Sequence, residues 1–112
     1  MAFNSSLDMS DGVAKITLDG ELDATAAPAF RDTIEQAATG HPQRLVLLMQ
    51  GLEYMASAGV RVLIFAKQKM GANVEIFVVG AHDAVYETIE MTGFIHSVFM
   101  LDTYDAAQIE VF

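Results

Sequence analysis

The chain has 112 residues, of which 53% are apolar, and its 15 acidic and 6 basic side chains leave a net charge of −9. This length predicts one domain, residues 1–112, with a real core, and the excess of acids argues against a nucleic-acid partner, because phosphate contacts need clustered cations. The chain lacks cysteine, an apolar run of membrane-spanning length and the pattern of a signal peptide, so we expect a cytoplasmic protein with no disulfides, no thiolate metal site and no membrane partner.

The first segments predict a β-hairpin. Phe3–Met9 alternates loosely between apolar and polar residues and ends at the turn Ser10-Asp11-Gly12. Val13–Leu18 follows with apolar residues at positions 14, 16 and 18, which is the period of a half-buried strand. The two segments are therefore predicted to pair.

A helix is predicted next. Its apolar residues repeat with helical spacing and form a stripe of Phe30, Ile34, Ala37 and Ala38. Asp23 or Thr25 is a candidate N-cap, and Pro28 lies in the first turn, where its missing N–H costs nothing. The helix should stop at Gly40-His41-Pro42.

Leu45–Met49 is a continuous apolar run of strand length. Such a run predicts a central strand that is covered on both faces, with helices above and below the sheet. The remaining elements alternate between helix and strand. They are a helix at Ala58–Met70 ended by Gly71, a strand at Val74–Val79, a helix at about Asp83–Met91, a strand at Val98–Leu101, and a short helix capped by Asp102 or Thr103 that runs to about Ile109.

The predicted order is β-β-α-β-α-β-α-β-α. Strands that alternate with helices imply right-handed crossovers and a largely parallel sheet. The prediction is an α/β fold with a mixed, mostly parallel sheet of about five strands, about four helices and an opening β-hairpin.

Ser57 is the candidate functional residue, because it follows the most buried strand and stands at the start of a helix. Ligands of open α/β sheets gather at the carboxyl ends of the strands. The first N–H groups of a helix lack internal partners and attract anions, so a phosphate on Ser57 would be stabilised there. On spacing alone the simpler interpretation is an N-cap, for which serine is well suited.

Catalysis and metal binding have little support. The three histidines, His41, His82 and His96, lie in different connections, and Ser57 has no evident base and no G-x-S-x-G elbow. There is no phosphate-binding G-x-x-x-x-G-K-[ST] motif, and no aspartate follows the buried strand as a response-regulator receiver would require. We therefore predict a protein that is not an enzyme and that needs no cofactor and no metal.

Three stretches together resemble the STAS family, which comprises anti-sigma-factor antagonists of the stage II sporulation AA type and related sulfate-transporter domains. The resemblance covers nearly the whole chain. Its motifs are the turn Gly20-Glu21-Leu22-Asp23, the loop Leu52–Val60 that follows the buried strand, and the turn Met91-Thr92-Gly93-Phe94.

The resemblance implies that Ser57 is the phosphoacceptor of a partner anti-sigma factor that is also a serine kinase. The unphosphorylated antagonist would bind that factor, phosphorylation would block binding, and a metal-dependent serine phosphatase would restore it. The implied partner surface consists of Asp23, Met55, Ala56, Ala58, Gly59, Val60 and Arg61. Bulk at Gly59 is expected to block docking and to leave the fold intact.

Two residues depart from the family pattern. Ala56 replaces an aspartate and Ala58 replaces a second hydroxyl residue. One alternative is therefore a STAS interaction module of a signalling assembly in which Ser57 is never modified, and another is an enzyme or small-ligand binder on an α/β sheet. Asp23 has two interpretations, a partner contact or a helix cap, and Arg61, Lys67 and Lys69 are either one basic edge or a solvated face.

Overall fold

Five strands lie in the sheet in sequence order in the computed structural model, which describes residues 2–112. The first pair is antiparallel and the other three pairs are parallel. The strands are β1 (Asn4–Ser10), β2 (Val13–Leu22), β3 (Arg44–Met55), β4 (Glu75–Val79) and β5 (Phe99–Leu101). The helices are α1 (Ala27–Thr39), α2 (Ser57–Met70), α3 (Asp83–Met91) and α4 (Ala106–Ile109), with a 3-10 helix at Phe94–Ser97.

The predicted fold class, element order and opening hairpin are confirmed. The main difference in bounds is that β2 and β3 extend well beyond the predicted segments. Their parallel pairing continues through two register shifts to the pair Leu22 and Met55. Gly20 lies at the second shift with φ +89°, a conformation that glycine adopts without strain. The stretch expected to be the turn before α1 is therefore mostly strand.

The three long helices all pack on one face of the sheet. Right-handed crossovers between strands that advance in one direction place every connecting helix on the same side. The prediction of helices above and below the central strand holds only because the short α4 lies on the second face, where Ile109 packs against Val46 of β3. The buried helical residues on that face are Ala27, Phe30, Ile34 and Ala37 of α1, Val60, Val62, Leu63 and Ala66 of α2, and Val85 and Ile89 of α3.

The second face of the sheet is covered by the C-terminal segment. Ile109 of α4 is fully buried there. Its cluster contains Val13, Val46, Phe77 and Val79. The predicted caps Asp102 and Thr103 are wrong, because α4 begins later and the Asp105 carboxylate accepts the Ala107 N–H at 3.1 Å.

Among residues 2–112, none of the helices has both the length and the apolar character that crossing a bilayer requires.

Replacement of Ile109 tests whether α4 stabilises the second face. Ile109→Ala removes the one buried side chain of a four-residue helix, and we expect a loss of about 2–4 kcal/mol in the free energy of unfolding measured with urea. Gln108→Ala, an exposed change in the same helix, is the control and should change stability by less than about 0.5 kcal/mol. Equal effects of the two variants would contradict the assignment.

Candidate functional site

The connection between β3 and α2 is a single residue. Met55 ends the strand, Ser57 is the first helical residue, and Ala56 between them is extended at φ −81° and ψ 166°. The Ala56 N–H donates to the Leu22 carbonyl at 2.8 Å, which continues the pairing of β2 with β3 by one residue. The start of α2 is thereby anchored to the carboxyl edge of the sheet, as predicted for Ser57.

Ser57 has an exposed side chain. Its hydroxyl makes no hydrogen bond to any residue within 2–112. The interpretation of Ser57 as an N-cap is wrong, because Ala56 occupies the cap position and has no side-chain oxygen. The hydroxyl is thus free beside amide hydrogens that the helix itself leaves unpaired.

Three residues of the predicted partner surface lie in the interior. Met55 and Val60 are each 1% exposed, and Gly59 is also buried. A Cβ at Gly59 would lie 2.9 Å from Leu22 Cδ2 and 3.0 Å from Met55 Cγ. The prediction that these three residues contact a partner is wrong, because Met55 ends β3 with its side chain in the core and the helical period turns Gly59 and Val60 toward the sheet.

The exposed face of α2 carries residues that differ in part from the predicted partner surface. Ser57, Arg61 and Ile64 follow one another at spacings of four and three residues, so they share one face of the helix. Ile64 is 39% exposed. Sequence reasoning missed Ile64, although its spacing of seven residues from Ser57 in a predicted helix was a usable signal.

A groove of about 400 Å³ runs between α1 and α2 beside this face. Ala58 and Arg61 line it from α2, and Pro28 and Arg31 line it from α1. The Arg31 guanidinium lies 4.1 Å from the centroid of the Phe65 ring, which also lines the groove. Apolar surface and two arginines therefore line the groove, with Arg61 near the start of α2 and Arg31 beside Phe65 in the middle of the helix.

Asp23 lies on the neighbouring loop, one residue after the strand partner of Met55. Its carboxylate accepts the Ala26 N–H at 2.9 Å, and its carbonyl accepts the N–H groups of Ala26 and Ala27. The prediction that Asp23 or Thr25 is the N-cap of α1 is wrong, because Ala26 occupies the cap position, but Asp23 stabilises the turn into the helix. A partner contact by Asp23 stays a prediction.

The three cations of α2 do not form one edge. Lys67 donates to the Val74 carbonyl at 3.4 Å, and Lys69 lines a cleft with Glu35 and His41 at the opposite end of the helix from Ser57. Arg61 alone of the three lies within a turn of Ser57.

Groups with altered acidity lie away from Ser57. A hydrogen bond with Tyr104 raises the pKa of Lys15, and burial raises the pKa of Tyr104, whose hydroxyl donates to Glu110. Lys15 is near the start of β2, at the opposite edge of the sheet from Ser57. Within residues 2–112, no three His, Asp or Glu side chains are grouped to hold a metal ion.

Comparison with known sequences agrees with the resemblance. The family model of the STAS domain matches residues 4–107. The chain is 28% identical over 83 residues to a Mycobacterium tuberculosis protein named anti-sigma-F factor antagonist RsfB, a match that covers 74% of this chain and 68% of that protein.

Comparison with solved structures gives the same fold. An anti-sigma factor antagonist from Mycobacterium paratuberculosis superposes with a TM-score of 0.86 and 26% identity, over 96% of this chain and 92% of that one. The phosphorylated form of the Bacillus cell fate determinant SpoIIAA has a TM-score of 0.67 and 20% identity, over 87% and 90% of the two chains.

Gly59→Ala is expected to destabilise the fold. The added methyl group would lie closer to Leu22 and Met55 than van der Waals contact allows, and such overpacking costs about 1–3 kcal/mol. Urea unfolding measures this loss. Ala58→Gly exchanges the same two residue types in the same helical turn without adding bulk, and this control should cost about 1 kcal/mol or less through helix propensity alone. A Gly59→Ala variant of unchanged stability would show that the space is larger than the structure indicates.

A second pair of variants tests which residue caps α2. Ala56→Asp supplies the side-chain oxygen that the cap lacks and should stabilise the protein by about 1 kcal/mol. Ser57→Ala should change the free energy of unfolding by less than about 0.5 kcal/mol, because its hydroxyl makes no bond. Ala56→Asn controls for the added charge. A loss of about 1 kcal/mol for Ser57→Ala would instead identify Ser57 as the cap.

Proposed function

The chain belongs to the STAS domain family, and on this basis we propose that it is an anti-sigma-factor antagonist whose binding is switched off by phosphorylation of Ser57. The relatives from Mycobacterium tuberculosis and Mycobacterium paratuberculosis carry the name of antagonist and support this function. An antagonist is a binding regulator, so the proposed activity is association with a protein and not catalysis.

The position of Ser57 is the observation that carries the proposal. Its hydroxyl is exposed, has no partner within residues 2–112 and stands at the first position of a 14-residue helix. A kinase therefore reaches it without unfolding any element. A phosphate there is stabilised by the free amide hydrogens and by the positive end of the helix dipole.

The proposed partner is an anti-sigma factor with serine kinase activity, and a metal-dependent serine phosphatase reverses the reaction. Phosphate adds about −1.5 to −2 charges and three strong acceptors. Inside its own helix that charge is favourable, whereas at an interface it must be desolvated and it repels any facing acid. The phosphorylated protein therefore keeps its fold and loses the partner. We propose that this exchange takes place in the cytoplasm.

The second candidate is a STAS interaction module that is never modified. The observation in its favour is the pair of alanines, Ala56 and Ala58, on either side of Ser57. They remove the acid and the second hydroxyl that the family pattern places there. In this case the same face of α2 binds the partner permanently.

Incubation with the anti-sigma factor and ATP separates the two candidates. We expect mass spectrometry to locate phosphate on Ser57 in the wild type and none in Ser57→Ala. Ser97→Ala removes another exposed serine, in the 3-10 helix, and should leave incorporation unchanged. An unmodified wild type that still binds the factor would favour the second candidate.

Substitution of Ser57 should change affinity in opposite directions. Ser57→Ala is expected to bind the anti-sigma factor as the unmodified wild type does and to stay bound in the presence of ATP. Ser57→Asp should bind at least tenfold more weakly, because a charge desolvated at an interface costs more than about 1.4 kcal/mol. Isothermal titration calorimetry measures both constants, and equal affinities would refute the switch.

A further inference from the structure

Arg61 lies one helical turn after Ser57, and both side chains are exposed. Residues four apart on a helix are neighbours, with Cβ atoms about 5–6 Å apart. Long helical side chains lean toward the helix N-terminus, so an arginine at position 61 can extend in the direction of Ser57. Arg61 also lines the groove between α1 and α2 together with Ala58. The guanidinium is thus within reach of a group added to Ser57.

Arg61 is unpaired in a chain with an excess of acids. Within residues 2–112 it makes no ion pair, hydrogen bond or ring contact. Several other cations are engaged by their neighbours. These are Lys15 with Glu110, Arg31 with Glu35 and Phe65, Arg44 with Glu75, and Lys67 with the Val74 carbonyl.

The other charged groups around the start of α2 are mostly acids. Glu21, Asp23 and Glu53 are exposed at the carboxyl ends of β2 and β3. They would repel a phosphate on Ser57. Arg31 faces the same groove from α1, but its Nε lies 3.8 Å from Glu35. Arg61 is the cation that is both near and unengaged.

We propose that Arg61 changes its ion-pair partner when Ser57 is phosphorylated. In the unmodified protein its free guanidinium pairs with an acidic side chain of the partner. A phosphate on Ser57 withdraws the guanidinium from the partner by forming an ion pair within α2. This inference rests on the proposed function, because it takes Ser57 as the phosphoacceptor.

The chemistry favours arginine for this task. A guanidinium donates two parallel hydrogen bonds to a phosphate, which is the geometry that makes such pairs strong and directional. The charge carried by Ser57 and Arg61 together changes from +1 to between about −0.5 and −1 on phosphorylation. The acidic side chain of the partner therefore loses its attraction to Arg61 and is repelled by the phosphate. Both effects weaken the binding of the partner to the phosphorylated protein.

The pairing is tested with phosphoserine incorporated at position 57 during synthesis, which needs no kinase. Phosphorus NMR then follows the second pKa of the phosphate. We expect it to be about 0.5 lower in the otherwise wild-type protein than in Arg61→Gln, because a nearby cation favours the dianion. Lys69→Gln makes the same change in net charge at the far end of α2 and should leave the value unchanged. Equal values for the wild type and Arg61→Gln would overturn the pairing.

Calorimetry with the anti-sigma factor tests the contact with the partner. Arg61→Gln in the unmodified protein should weaken binding about threefold or more. Phosphorylation should weaken binding by a smaller factor in Arg61→Gln than in the wild type. Unchanged affinity of Arg61→Gln would overturn the partner contact.

The two proposals fail in different ways. If the kinase leaves Ser57 unmodified and the phosphate titration still depends on Arg61, the phosphorylation switch is refuted and the pairing within α2 stands. If the kinase modifies Ser57 and the titration is the same in both proteins, the switch stands and the role of Arg61 is refuted.

Discussion

The parallel pairing of β2 with β3 positions both parts of the candidate site, the start of α2 and the loop that carries Asp23. It runs from Val13 to Leu22 and ends with the hydrogen bond from the Ala56 N–H to the Leu22 carbonyl, 2.8 Å long. That last bond leaves a single residue between strand and helix. The helix therefore has no freedom to start elsewhere, and its first side chain, Ser57, emerges at the carboxyl edge of the sheet. The loop that carries Asp23 begins directly after Leu22, so the same hydrogen bond holds this loop beside the connection at Ala56.

The fixed start of α2 also explains why the predicted partner surface contains both buried and exposed residues. Once α2 begins at Ser57, the helical period alternates the exposure of the residues that follow. Gly59 and Val60 meet Leu22 and the sheet, whereas Arg61 and Ile64 face outward. Gly59 is required for close packing between helix and strand, and the partner contacts we propose involve the outward-facing Ser57 and Arg61. Packing and recognition are thus separate functions of adjacent residues.

The two faces of the sheet differ in how they are protected. Three helices cover one face, and the other depends on the C-terminal segment, where Ile109 is buried and Arg44 contacts Glu75 and the Phe112 ring. Helix α2 is one of the three helices that cover the first face, and its exposed side points away from the sheet. A phosphate on Ser57 therefore acts on a helix that already has a packed core beneath it. We expect modification to change the surface charge and to leave the fold intact.

The sequence by itself determined the element order, the fold class and the candidate residue Ser57, because apolar periodicity and turn residues are local signals. It also indicated the family through three short motifs. It did not determine where β2 and β3 end, since their extension depends on pairing between distant segments. Nor did it assign the cap of α2 to Ala56, place all long helices on one face, or separate the buried Met55 and Val60 from the exposed Ile64. Only the tertiary structure decided these points, because burial depends on which surface a helix turns toward the sheet, and that orientation is set by contacts between residues far apart in the chain.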